Sequence, residues 1–159
     1  MKIKLRSLAV WTICLFMALG TAGCSKKTAL SPSEFRKAME KEDYSITDKT
    51  EETTTQAHAI SVLVAANSNK DYQIEYYQFE SSDACIDVYD RMVSKIEDQY
   101  QSGKNKKKNS VSAQNSAHFS LTVNNLYMYV SRIDDTLIYC GTYKKNKNKA
   151  MKTIENLGY

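Results

Sequence analysis

The residues able to do chemistry in this sequence are two histidines, four cysteines, the carboxylate pairs Glu51–Glu52 and Asp134–Asp135, and an unusual share of tyrosine, eleven copies. His58 and His118 each open an apolar strand-like run, with no Cys, Asp or Glu at metal-ligand spacing. They read as strand-start surface or edge residues, and no metal or other cofactor is expected. A serine nucleophile needs a sharp turn of the G-x-S-x-G kind, which is not in the sequence. A cysteine nucleophile needs an activating neighbour. Cys140, followed by Gly141, has only His118 to offer one, and packing accounts for Cys140 better. Adjacent carboxylates on a strand point to opposite faces, and in turns they accept backbone hydrogen bonds. Asp134 is therefore read as a turn residue. With five glycines in all, no phosphate-cradling loop is evident. No catalytic residue is assigned, and a non-enzymatic protein is expected.

Binding chemistry is better represented. Tyr72, Tyr76, Tyr77, Tyr127, Tyr129 and Tyr139 all fall on predicted strands. Tyrosine offers large contact area at low entropic cost, so Tyr77, Tyr127 and Tyr129 would form an aromatic platform if they shared an open sheet face. The competing explanation is that alternating aromatics simply satisfy strand packing. Lys106, Lys107 and Lys108 add a basic patch in a polar segment, completing the candidate binding surface.

The elements that must position these residues follow from periodicity. Ser31, Pro32 and Glu34 form a capping-box start for a helix reaching about Glu42, with Phe35, Ala38 and Met39 on its apolar face. Tyr44 and Ile46 mark a brief strand, and residues 47–56 a polar loop or threonine-rich edge extension. Ile60, Val62 and Val64, a turn at 67–71, then Tyr72, Ile74 and Tyr76 make a hairpin. Ser81–Asp83 opens the longest helix, with Cys85, Val88, Tyr89, Met92 and Ile96 on one face and an end near Gln101. Residues 102–116 are polar, basic and low in complexity, and are expected to be a mobile loop. Phe119, Leu121 and Val123 alternate before Asn124–Asn125, and Leu126, Met128 and Val130 alternate after it. Asp134–Asp135 turns the chain into Leu137–Cys140, which Gly141 is expected to end, and a last helix covers about 143–157. This order predicts an α+β fold, an antiparallel sheet with helices packed on one face as a two-layer sandwich, the other face left partly open.

The first 23 residues stand apart. Lys2, Lys4 and Arg6 precede an uncharged apolar run, which ends in the small residues Gly20–Gly23 before Cys24. A cationic start, an apolar middle and a small-residue end are the parts of a secretory signal. The rivals are a plain cleaved signal and an uncleaved anchor, since the run is close to the ~18–20 residues that cross a bilayer. The segment Thr21-Ala22-Gly23-Cys24 resembles the lipobox of bacterial lipoprotein precursors, with Thr21 where that family usually has Leu. The resemblance implies a diacylglyceryl group on the Cys24 sulfur and cleavage between Gly23 and Cys24. Residues 1–23 would then be a signal peptide, 24–31 a lipid-anchored tether and 32–159 one α+β domain. Two acyl chains hold a protein stably where one does not. A tether of this length spans at most ~25 Å at ~3.3–3.6 Å per residue, which keeps the domain near the bilayer. The stretches 72–79, "SRIDDTLIYC" and the terminal "LGY" also resemble small, uncharacterised lipoproteins of Gram-positive bacteria, which adds no activity.

Cleavage changes what charge and cysteine content mean. The mature chain has 19 basic and 18 acidic residues, which gives no warrant for nucleic-acid binding. The charge is unevenly spread: residues 24–99 carry a net −6 and residues 100–159 a net +7. The basic half could face anionic polymers or headgroups, or the halves could pair within the fold. Cys14 leaves with the signal, so Cys85 and Cys140 are the candidate disulfide, with separate buried thiols as the alternative. The expectation is a lipid-anchored extracytoplasmic binding or accessory module at the cell membrane. Its partner is expected to be an envelope protein or an anionic wall polymer. A small cell-wall hydrolase and a transporter-associated solute-binding protein are the alternatives.

Overall fold

The structure, a computed structural model, describes residues 26–52 and 58–159. The lipobox residues Gly23 and Cys24 lie outside this range. The described chain runs α1 (Pro32–Lys41), β1 (Ser45–Asp48), β2 (Ala59–Ala66), β3 (Gln73–Phe79), α2 (Ser82–Gln99), β4 (Lys107–Ser112), β5 (Ser116–Val123), β6 (Leu126–Ile133), β7 (Thr136–Tyr143) and α3 (Lys147–Asn156), with a 3-10 turn at Lys144–Asn146. The strands form one antiparallel sheet in the order β1-β2-β3-β7-β6-β5-β4. This is the expected α+β antiparallel architecture.

Local chemistry explains the boundaries. At α1 the capping box is complete: Ser31 Oγ accepts from the Glu34 amide and the Glu34 carboxylate accepts from the Ser31 amide at 2.8 Å. Ser81 caps α2 in the same manner by accepting from the Ala84 amide. Asn124 and Asp134 take positive φ at the first position of the two-residue turns joining β5 to β6 and β6 to β7, a conformation Asn and Asp tolerate better than most residues.

The layering differs from expectation. Helices cover both faces of the sheet. α1 and α3 bury Phe35, Met39, Ala150 and Ile154 against Leu63, Ile74, Tyr76, Ile138 and Cys140 on one face. α2 buries Cys85, Val88, Tyr89 and Ile96 against Phe119, Leu121, Val130 and Leu137 on the other. A strand alternates its side chains between faces, so a central strand sandwiched this way is buried along nearly its whole length. In β6 every residue from Tyr127 to Ser131 is buried. Its tyrosines, Tyr127 and Tyr129, belong to the α1–α3 core face and not to an open one.

Three smaller corrections follow. The expected mobile loop 102–116 contains β4, paired with β5 from Lys107↔Thr122 to Ser112↔Ala117. β7 does not end at Gly141 but continues to Tyr143. There the Tyr139 ring folds along the strand, and a Cβ on Gly141 would come within 2.8 Å of its hydroxyl. The expected polar tether is docked, not free, over its described part. Leu30 and Ala29 pack on the α1–α3 core, the Tyr76 hydroxyl donates to the Leu30 carbonyl at 2.7 Å, and Asn115 Nδ2 donates to the Lys27 carbonyl at 2.8 Å.

Candidate functional site

β5 shows how the site arises. Ala117, Phe119, Leu121 and Val123 are buried beneath α2, while Ser116, His118, Ser120 and Thr122 point to the opposite face. On that face α3 lies over β7 and β6, and stops short of β5. A strip of polar side chains is therefore left uncovered, bounded by α3 on one side and by Lys107 and Asn109 of β4 on the other. The result is a groove of about 560 Å³, within the ~300–1,000 Å³ of ordinary ligand sites.

Its floor is aromatic. The His118 and Tyr129 rings stack with centroids 5.9 Å apart. Lys147 Nζ sits 4.5 Å above the Tyr127 ring, a cation–π contact, and the Tyr127 hydroxyl donates to Met151 Sδ at 3.3 Å. Lys27, from the docked N-terminal segment, lines the groove near His118, and Glu155 lines it from α3. Lysines thus outnumber carboxylates along the lining.

The titratable groups in and beneath the groove are shifted toward their neutral forms. Burial, assisted by Lys27, lowers the His118 pKa below its ordinary 6.5, so the ring is neutral at neutral pH. Burial pushes the Tyr127 hydroxyl up to about 12 and raises that of Tyr129, so both stay protonated donors. Cys140 is 1% exposed and burial holds its thiol up at about 12, the reverse of an activated nucleophile. Among the described residues, no group of three or more His, Cys, Asp and Glu side chains is arranged to hold a metal ion.

The sequence-derived candidates divide. Tyr127 and Tyr129 come together, but as a floor 4% and 5% exposed, not as an open platform. Tyr77 is not with them: it lies on the opposite face, beside Phe79, with its hydroxyl donating to Glu75. Lys107 lines the groove and Lys106 lies in the exposed turn before β4. Lys108 also borders the groove, but its ammonium turns to the α2 side, where it pairs with Glu97 and covers Phe119. Cys85 and Cys140 are free thiols, buried in the two cores on opposite sides of the sheet, which rules out their disulfide. Asp134 is the turn residue expected of it, held by Asn115 Nδ2 at 3.2 Å. Sequence reasoning missed Lys27, Lys147, Met151 and Glu155. The basic run 144–149 was the signal for Lys147; nothing local to the sequence announces that Lys27 folds back. Compared with known protein families, curated proteins and solved structures, the chain matches none.

Proposed function

We propose that the protein is a lipid-anchored extracytoplasmic module, held by a diacylglyceryl group on Cys24 after cleavage behind Gly23. It recognises an envelope component through the groove between α3 and β4–β5, without chemical turnover. The observation that carries the reading is the groove's composition: stacked His118 and Tyr129, Lys147 over Tyr127, and hydroxyls of Ser120 and Thr122. Hydroxyl and ammonium donors set over a buried aromatic floor suit hydroxylated or anionic ligands.

Two measurements test this. Intact-mass analysis of the protein from its native membrane is expected to find a diacylglyceryl adduct on Cys24 and no leader; an unmodified thiol or a retained leader overturns the anchoring. A photoreactive residue at the exposed groove-wall position Asn148 is expected to capture an envelope component in intact cells. A hydrolytic activity lost in His118→Ala with the fold intact would instead establish the enzyme alternative.

A further inference from the structure

The sheet has two chemically different ends. Strand register brings the β6–β7 turn, the β4–β5 connection and the end of β3 together: Ile133 pairs Ser116, Gln78 pairs Thr136, and the Phe79 amide donates to Asp135. The N-terminal segment leaves the body at this end, where Lys26 lies 3.8 Å from Asp134 and Asn115 holds Lys27. Cys24 is two residues further on, a reach of roughly 7 Å at ~3.3–3.6 Å per residue. This end also carries Glu80, Asp83 and Asp135, a poor surface for anionic headgroups.

The other end collects two basic stretches separated in sequence. The Lys104 carbonyl accepts from the Asn124 amide at 2.9 Å, and the Asn125 carbonyl accepts from the Lys144 amide at 2.8 Å, which clamps both stretches around one hairpin turn. Lys104, Lys106 and Lys107 thereby meet Lys144, Lys145 and Lys149, all exposed. Among the described residues none of these six makes an ion pair. The carboxylates Asp43 and Asp71 at the same end sit in the turns flanking β1–β3, across the sheet, while Glu97 and Asp98 lie at the C-terminus of α2, where Glu97 is paired with Lys108. Lys107 and Lys147 belong to both the lysine end and the groove, so the two form one continuous surface.

We infer that this surface grips an anionic polymer lying beyond the membrane, a polyol-phosphate chain whose charges rest on the lysine end and whose hydroxylated units run into the groove. The orientation rests on the Cys24 anchoring proposed above. Distance decides against the bilayer as ligand. β5 has eight residues, ~27 Å at ~3.4 Å each, and the lysines lie at its far end. Headgroup charge is screened within a Debye length of ~8–10 Å. With the strands standing upright on the anchored end, the bilayer is too far for its charge to be felt there.

The test uses the full acylated protein and a soluble poly(glycerol phosphate) probe. In neutral detergent micelles the probe is expected to bind. Affinity should fall roughly tenfold or more both from low to moderate salt and in the variant K104E/K106E/K144E/K145E. Lys37→Glu, an exposed lysine on α1, reverses one charge away from this surface and should leave binding unchanged, where Lys144→Glu alone should weaken it. Retained thermal stability of the quadruple variant separates lost binding from lost fold. No probe binding, or equal losses in Lys37→Glu, overturns the inference. In a second arm the protein is anchored in phosphatidylcholine vesicles with or without phosphatidylglycerol. Equal probe binding supports the inference; displacement of the probe by phosphatidylglycerol assigns the lysines to headgroups and overturns it. Capture of an acidic protein at the lysine end in preference to the polymer also overturns it. If Cys24 proves unmodified, micelle binding still reports on the lysine surface while the orientation falls, so the two failures are distinguishable.

Discussion

The two faces of β5 make the most instructive comparison in the molecule. Toward α2, Phe119, Leu121 and Val123 are fully buried. One residue away on the same strand, Ser120 and Thr122 line a groove. The backbone hydrogen bonds serving both are the same; the difference lies in what covers each face. α2 is 18 residues long and spans β3, β7, β6 and β5 with its apolar side. α3 is 10 residues long and its buried side chains rest on the neighbouring core alone. The sheet is thus sealed beneath α2 on one face and left partly uncovered beside α3 on the other.

The sharpest way to break this contrast is to truncate alternate residues of β5. Phe119→Ala or Leu121→Ala is expected to cost ~3–5 kcal/mol, by lost burial plus the cavity left behind. Ser120→Ala or Thr122→Ala is expected to stay within ~0.5 kcal/mol. Denaturant unfolding monitored by circular dichroism reads both. Comparable losses at Ser120 and Leu121 would show that the groove face is as much core as the α2 face.

This contrast was only partly legible in the sequence. The apolar alternation in β5, the Ser31–Glu34 capping box and the helical face of α2 were all readable, because each is a local pattern that the core or the cap enforces. β4 was not, because all six of its residues are exposed and the edge strand carries no periodicity from a core. It forms because β5 presents an unpaired edge, a long-range cause. Tyr127 and Tyr129 were misplaced for a related reason. Alternation shows which residues share a face, but a tyrosine suits a buried or an open face equally well, and only the position of α3 decides. The docking of residues 26–31 depends on Tyr76 and Asn115, far away in the chain.

The N-terminal segment supplies the next test. Ser31→Ala removes the oxygen that accepts from the Glu34 amide, and is expected to cost ~1 kcal/mol. Tyr76→Phe removes the donor to the Leu30 carbonyl, at a similar ~0.5–1.5 kcal/mol. If residues 26–31 belong to the sealed region, both variants should also raise amide exchange at Ala29 and Leu30. Unchanged exchange there would return the segment to the role of a free tether. On the groove side, Lys147→Met keeps most of the aliphatic stem but removes the charge over Tyr127. Probe affinity should weaken about twofold to fivefold through loss of one cation facing the polyanion, and stability should fall by at most ~0.5–1 kcal/mol through loss of the contact with the Tyr127 ring.

The smallest expected effect lies at His118, where the two regions are coupled by a proton. Burial comes first and Lys27 second in holding its pKa below 6.5. The unfolded chain therefore binds more protons than the folded chain between the folded pKa and about 6.5. The stability linked to this ring is complete above about 6.5 and is lost as pH falls through the lowered folded value. Ligand binding runs the other way. A protonated ring adds a cation to a groove already lined by Lys27, Lys107 and Lys147 against Glu155, so a bound polyanion should raise the His118 pKa. By reciprocity, acidification should tighten binding while it loosens the fold. An imidazole titration followed by NMR is expected to give a midpoint below 6.5 for the free protein and a higher one with poly(glycerol phosphate) present. His118→Gln should remove the added pH dependence of binding while leaving binding at neutral pH nearly unchanged. A midpoint that ignores the polymer would separate His118 from the ligand surface and confine its role to packing against Tyr129.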